Sequence, residues 1–369
     1  MKTVNKRKLT SNLNSKTFIL NHLHKKVVVI GGSNIDIKGS PFVKLKEKTS
    51  NPGAVTMTLG GVGRNISHNL GLMGIPVIFL SVVGEDDWGR KILEDTGKIG
   101  VNIGQVKISK KNATGKYLAI LDKQGEMQVA ISGMKVCEEI TVGYIKSKEK
   151  TIRESDIVVV DTNLPEKTIR FVAKICSEEN IKLVVEPVSV EKSKKLKSIL
   201  DKIDYITPNQ EELKAMTGDS ELKNDEDLLK AVENLRNKGK GVKNIILTLG
   251  QRGVFLYGEE IYAGVENAGG YKFKNHKLQG KYIQPYKVET IEVTGVGDAL
   301  VAGLVYGIFK GCSLEMAVRY GLAAAALTIS TPDTVNPGMK EEILKVLVEN
   351  NRNLLGINES KKRQKMSSQ

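Results

Sequence analysis

Cysteine is scarce in this chain. Cys137, Cys176 and Cys312 are the only three in 369 residues, far apart and odd in number. They form no C-x-x-C pair, which argues against a disulfide framework and favours buried thiols in a reducing compartment, here the cytoplasm. Long hydrophobic runs are absent too. No stretch approaches the roughly eighteen apolar residues that span a bilayer, so no membrane role is expected. The four histidines, His22, His24, His68 and His276, show no metal-ligand spacing beyond a short pair near the start. Aromatic residues make up 5% of the chain and do not alternate with basic runs, which removes a stacking platform for single-stranded nucleic acid. There is no Gly-x-Ser-x-Gly elbow, no Walker A loop and no Gly-x-Gly-x-x-Gly. Internal repeats and long low-complexity linkers are also missing.

Acids are missing from residues 1–26, which carry Lys2, Lys6, Arg7, Lys8, Lys16, Lys25 and Lys26, a charge of +7. Residues 357–369 set four cations against Glu359, giving +3, so the body holds only +4 of the total +14. Basic ends on a nearly balanced body read as solvated tails, and no nucleic-acid partner is expected. The first 26 residues lack the apolar core of a secretory signal. With a single arginine they fit a disordered extension better than a transit peptide.

What remains, residues 27–356, is long enough for a large core, and the whole chain's hydrophobic content of 40% is ordinary for a soluble protein. Short β-rich runs alternate with helical patterns, which predicts an α/β protein with a mostly parallel sheet covered by helices. Strands are expected at 26–30, 77–82, 157–160, 183–185, 205–206 and 245–249. Helices are expected at 63–73, 88–97, 166–179, 193–200, 209–216, 225–238, 299–309, 314–329 and 340–351. Two segments, 38–59 and 114–131, instead alternate polar and apolar positions, and Asp122-Lys123-Gln124-Gly125 supplies hairpin turn chemistry. They predict a small antiparallel sheet standing off the main body.

The most telling segment is Val293-Thr294-Gly295-Val296-Gly297-Asp298-Ala299, followed by an apolar run to Ile308. Backbone N–H groups at such a helix start favour negative charge. A carboxylate placed there suits a base that takes a proton from a hydroxyl attacking a phosphate. Its plainer explanation is a first-turn acid stabilised by the helix dipole. Far upstream, Gly60-Gly61-Val62-Gly63-Arg64-Asn65 places three glycines in four positions ahead of another helical pattern, so a ligand can approach the backbone. Asn34 and Asp36 follow the first strand, where open α/β sheets bind ligands, and an amide and an acid at that spacing can hold neighbouring hydroxyls. A turn is the alternative.

Together these segments resemble the paired signatures of the PfkB/ribokinase family of sugar and nucleoside kinases, over nearly all of residues 27–340. Gly32-Ser33-Asn34-Ile35-Asp36, Asn51-Pro52-Gly53, Gly60 to Asn69, Gly125-Glu126-Met127 and Pro187-Val188-Ser189 are most similar to the branch of that family acting on pseudouridine. The resemblance implies a three-layer αβα fold with the small sheet as a lid and a homodimer contact. It also implies ATP-dependent phosphorylation of the 5′-hydroxyl of pseudouridine. Asp298 would be the general base, and Gly295, Val296 and Gly297 the anion hole. Asn34, Asp36, Gly61, Gly63 and Asn65 would hold the nucleoside, with Lys116 and Asn163 near it; Thr114 and Ser132 line the same region. Arg64 either contacts substrate or is a surface cation. Asn209 and Glu212, in Pro208-Asn209-Gln210-Glu211-Glu212, would serve ATP and Mg²⁺, although the same residues make a helix capping box. Thr248, Gly250, Gly253 and Asn336 would line the nucleotide, and Glu292 matches a monovalent cation position, K⁺ in this family. Alternatives are a ribokinase or purine nucleoside kinase, or a non-catalytic sugar or nucleoside sensor on the same fold.

Overall fold

Residues 25–219, 222, 224–237, 241–259 and 280–350 are described by the computed structural model of the chain. The basic tail at 357–369, nearly all of the basic extension, and His22, His24 and His276 lie outside them. From the amino end come β1 (Val27–Ile30), β2 (Asn34–Pro41), β3 (Gly53–Gly60), α1 (Val62–Leu72), β4 (Val77–Leu80), β5 (Val82–Gly84) and α2 (Asp87–Lys98). The middle adds β6 (Lys107–Ser109), β7 (Gly115–Leu121), β8 (Met127–Gly133), β9 (Ile157–Asp161), α3 (Glu166–Glu179), β10 (Lys182–Glu186), β11 (Tyr205–Ile206), α4 (Gln210–Thr217) and α5 (Asp225–Asn237). Strands β12 (Asn244–Thr248), β13 (Val254–Gly258) and β14 (Lys281–Ile283) precede α6 (Val296–Phe309) and α7 (Leu314–Ile329).

The main sheet runs β14-β13-β12-β11-β10-β9-β1-β4, parallel except for β13 and β14 at one edge. Its inner strands are buried on both faces, as runs such as Val27-Val28-Val29-Ile30 and Ile157-Val158-Val159-Val160 require. Alternate residues feed two separate cores. Val28, Ile30, Val158 and Val160 pack with Ile169 and Val172 of α3, Leu213 of α4 and Val232 of α5. Val27, Val29 and Val159 pack with Ile66 and Leu70 of α1, Val301 and Val305 of α6 and Val318 of α7. The result is three layers. Helix α6 is buried from Ala299 to Phe309, so the helix that begins at Gly295 is anchored along its length in the second core.

The lid is a four-stranded sheet in the order β3-β2-β7-β8. It begins at Asn34, earlier than the alternation suggests, so Asn34 and Asp36 lie on a lid strand and not in a turn. Register assigns its faces. Asp36 stands opposite Thr58 and Tyr117, and Tyr117 opposite Ser132, which puts Asn34, Asp36, Lys38, Tyr117 and Ser132 on one polar face. Ile37 stands opposite Met57 and Leu118, and Leu118 opposite Ile131, on the other. That second face is apolar, and Val55, Met57, Leu118, Val129 and Ile131 on it are exposed.

Two expected elements differ. The helix at 193–200 is a single α-turn, Val190–Ser193, followed by 3₁₀ turns through Ser198 and Lys202. The strand at 77–82 breaks at Ser81, whose hydroxyl donates to the Gly31 carbonyl.

Candidate active site

The carboxyl ends of β1, β9 and β10 and the starts of α1 and α6 converge beneath the polar face of the lid. Two glycine turns meet there. Gly31, after β1, and Gly63, at the start of α1, are so close that a Cβ on Gly63 would lie 2.6 Å from the Gly31 Cα. Gly61 caps α1 with φ of 100°, a region open to glycine. Asp161, the last residue of β9, joins the two turns. Its Oδ2 accepts N–H bonds from Gly32 at 2.8 Å and Gly63 at 2.9 Å, and its Oδ1 accepts from Asn163 at 2.9 Å.

The glycine tie fixes where α1 starts, and so where Asn65 points. Asn65 donates from Nδ2 to Asp298 Oδ2 at 2.8 Å, while its Oδ1 accepts from Arg64 Nη1 at 3.0 Å. Arg64 in turn donates to Asp95 at 2.5 Å and to the Leu59 carbonyl at 3.3 Å, with His68 Nδ1 3.1 Å away. The guanidinium thereby sets the orientation of the Asn65 amide. Arg64 is not a surface cation: it is buried, 3% exposed, as the counter-ion under a group of acids. Burial and the neighbouring guanidinium push His68 down to about 4, leaving it neutral near pH 7.

Asp298 sits in the first turn of α6. Gly295 caps the helix at φ 79°, where an added Cβ would lie 2.1 Å from the Thr334 carbonyl oxygen. The first intrahelical bond is Ala299 N–H to the Gly295 carbonyl, 2.9 Å, so the N–H groups of Val296, Gly297 and Asp298 precede the ladder. Gly297 is exposed and faces open space. Asp298 keeps some solvent access yet is crowded by protein. Burial raises its carboxyl to about 7; Asn65 opposes this, Asp161 and Asp36 add to it, and Arg64 partly offsets them. Asp36 is also pushed up by burial, against the pull of Asn34, Lys38 and Arg64. Asn34 Nδ2 donates to Asp36 Oδ1 at 2.6 Å, leaving the other carboxylate oxygen against Gly60, where no Cβ would fit. A carboxyl poised near neutrality beside a helix amino end can accept a proton while the backbone holds an anion.

A second group lies further along the sheet. Asn209 and Glu212 form a full capping box at the start of α4, each bond 2.9 Å. Thr248, at the end of β12, donates from N and Oγ1 to the Pro208 carbonyl beside them. Glu186, ending β10, accepts from the Thr207 hydroxyl and is pushed well above the usual carboxylate range by burial, then by Glu212 and Asp298. Glu212 is raised by burial. Glu186 also accepts from Val188 N at 3.3 Å, and the two crowded carboxyl groups are hard oxygen donors of the kind a divalent cation would use. Gly250 and Gly253 make the turn between β12 and β13, closed by Leu249 N–H to the Gly253 carbonyl at 2.9 Å.

Other expected residues have partners of their own within the protein. Lys116 is exposed on the apolar face of the lid, opposite the face carrying Asp36. Both ends of the Asn336 amide are engaged locally, with the Leu327 carbonyl at 2.5 Å and Gly338 N–H at 2.7 Å. Thr114 binds Asp86 through both N and Oγ1. Asn163 stands against Gly32 with its Oδ1 held by Lys192 at 2.6 Å. Glu292 lies at the foot of the Gly295 turn, bonded to Lys38 of the lid. The sequence reading passed over Asp161 and Glu186. Their signal was an acid closing an otherwise apolar strand, at the strand end where ligands gather.

Residues 24–341 match the description "pfkB family carbohydrate kinase". The chain is 32% identical over 324 residues to the pseudouridine kinase of Escherichia coli strain K12, covering 88% of this chain and 96% of that one. Identity to the pseudouridine kinase of Arabidopsis thaliana is 25%, over 90% of this chain and 99% of the relative. Among solved structures, a sugar kinase from Clostridium perfringens superposes with a TM-score of 0.70 at 28% identity, covering 88% and 96% of the two chains. Arabidopsis thaliana ribokinase, complexed with ribose and ATP, does so at 0.71 and 22%, covering 88% and 98%. The fold is thus ribokinase-like.

Proposed function

Because the chain belongs to the pfkB family of carbohydrate kinases, we propose that it transfers the terminal phosphoryl group of ATP to the 5′-hydroxyl of pseudouridine. The observation that carries this reading is Asp298, a carboxyl raised to about 7 and bonded to Asn65 at the amino end of a buried helix. Asn34 and Asp36 hold the ribose hydroxyls from the lid, and Asn65 keeps the Asp298 carboxylate turned towards the 5′-oxygen. Asp298 accepts the hydroxyl proton, and the N–H groups of Gly295, Val296 and Gly297 hold the charge that develops on the phosphoryl oxygens. Glu212 and Glu186 would hold Mg²⁺, whose role is to bridge and neutralise the ATP phosphates. Thr248, Gly250 and Gly253 border the nucleotide. The pseudouridine kinase relatives from two organisms support the choice of nucleoside, and the ribokinase complexed with ribose and ATP supports the choice of phosphoryl donor.

Pseudouridine carries a ring N–H where uridine has C–H. A buried acceptor facing it is left unpaired by uridine, at a cost of about 1–3 kcal/mol, or roughly ten- to a hundredfold. Of the residues considered for that acceptor, Thr114 and Asn163 have theirs engaged and Lys116 faces outward. Ser132 remains, exposed on the polar lid face opposite Tyr117, where a bound nucleoside would have to cover it. Steady-state kinetics on pseudouridine, uridine, ribose and adenosine test the reading. The expected kcat/KM is highest for pseudouridine, lower for uridine and far lower for ribose. Equal or better use of ribose or adenosine would reject the nucleoside while leaving the kinase.

The apolar lid face suits a second copy of the chain, since exposed Val55, Met57, Val129 and Ile131 extend the small core beneath the lid to the surface. Ile131→Asp should convert a homodimer to a monomer in light scattering. A wild-type chain that is already monomeric contradicts the homodimer.

A further inference from the structure

The kinase resemblance implies a monovalent cation at Glu292, and the residues around that carboxylate do not fit one. Its Oε1 accepts from Val293 N at 2.9 Å, Thr294 N at 3.1 Å and the Thr294 hydroxyl at 2.8 Å. Its Oε2 accepts from the Lys38 ammonium at 2.7 Å, and the same ammonium donates to Thr294 Oγ1 at 2.7 Å. Lys38 and Glu292 are 254 positions apart in sequence and both largely shielded, at 20% and 28% side-chain exposure. A metal ion on these oxygens would sit within van der Waals contact of a fixed positive charge, where repulsion at low dielectric is large.

We propose that the Lys38 ammonium takes the place of a bound monovalent cation at Glu292, so that phosphoryl transfer runs without potassium and the lid is tied to the loop bearing the base. An alkylammonium and a potassium ion are similar in charge and size, so one can neutralise the carboxylate that the other would. The difference is the tether. Lys38 lies on β2 two residues beyond Asp36, on the same polar face. Glu292 and Thr294 lead directly into Gly295–Asp298. The pair therefore ties the strand with the candidate ribose-binding acid to the loop with the candidate base. Lys38 acts as a positioning residue, through Glu292 and Thr294.

Initial rates and melting temperatures in potassium, ammonium and choline chloride at equal ionic strength test this, for wild type, Lys38→Met and Lys38→Arg. The rate arm rests on the proposed phosphoryl transfer, and the melting arm does not. Wild type should show the same rate and melting temperature in all three salts. Lys38→Met in choline should turn over about ten- to a hundredfold more slowly, the range for a catalytic group displaced by up to an ångström. Potassium or ammonium should restore part of that rate and raise the melting temperature of this variant alone. Lys38→Arg, which keeps the charge, should stay insensitive to potassium. A wild type activated several-fold or stabilised by potassium overturns the proposal. So does a Lys38→Met enzyme whose rate and melting ignore the cation. A wild type that turns over no acceptor counts against the kinase reading, and the melting response alone then decides this one.

Discussion

Asp298→Asn is expected to lower turnover by at least roughly 10²–10⁴, the contribution of a positioned general base, with nucleotide binding largely retained. The asparagine keeps the size and a carbonyl oxygen for the Asn65 bond, so the loss reports on proton acceptance and not on packing. The same carboxyl sets the pH dependence. With its pKa raised to about 7, the wild-type rate should climb with one deprotonation as pH passes through about 7 and level off above it. The stability sign is opposite. The folded chain holds a proton on Asp298 that an unfolded chain releases near pH 4, so this group's contribution to stability falls as pH rises from about 4 to 7. A variant retaining most of its turnover would remove Asp298 from the role of base.

Asp161→Ala is expected to give the largest loss of stability at the site. Two buried N–H groups, on Gly32 and Gly63, and a part-buried one on Asn163 lose their acceptor together. Each unsatisfied donor costs about 1–3 kcal/mol, so a total of about 3–5 kcal/mol is expected after partial rearrangement. That is a large part of an ordinary domain's stability of about 5–15 kcal/mol. Urea unfolding should show a lower midpoint at an unchanged slope. Asp161→Asn, which keeps one acceptor oxygen, should lose less. A loss under about 1 kcal/mol for the alanine variant would mean that the carboxylate does not hold the two glycine turns together.

Much of the fold was legible because buried parallel strands and amphipathic helices leave distinct patterns. Val27–Ile30 and Ile157–Asp161 are apolar on both faces and could not be surface strands. The glycines around Val62 and Val296 were equally plain, since a side chain at Gly61, Gly63 or Gly295 would meet backbone. Lid alternation was visible, but its register was not. Strand side chains have a period of two, so the face that meets the cleft depends on pairing across β2, β7 and β8. That is why Lys116 was drawn towards the substrate and lies outward, while its neighbour Tyr117 faces Asp36. Asn209 and Glu212 show a different limit. The same residues satisfy a capping box and stand beside Glu186, so the capping box alone does not decide between the structural and chemical readings. The roles of Arg64 and Lys38 were beyond reach because each draws its meaning from a partner at least 31 positions away.

The measurement closest to the central claim is the identity of the product. The purified chain is incubated with ATP, Mg²⁺ and pseudouridine, and the mixture is followed by phosphorus NMR and mass spectrometry. The account predicts ADP and pseudouridine 5′-monophosphate in equal amounts, with none formed by Asp298→Asn over the same interval. ADP without a phosphorylated nucleoside, phosphate on another hydroxyl, or turnover of free ribose with none of pseudouridine would contradict it.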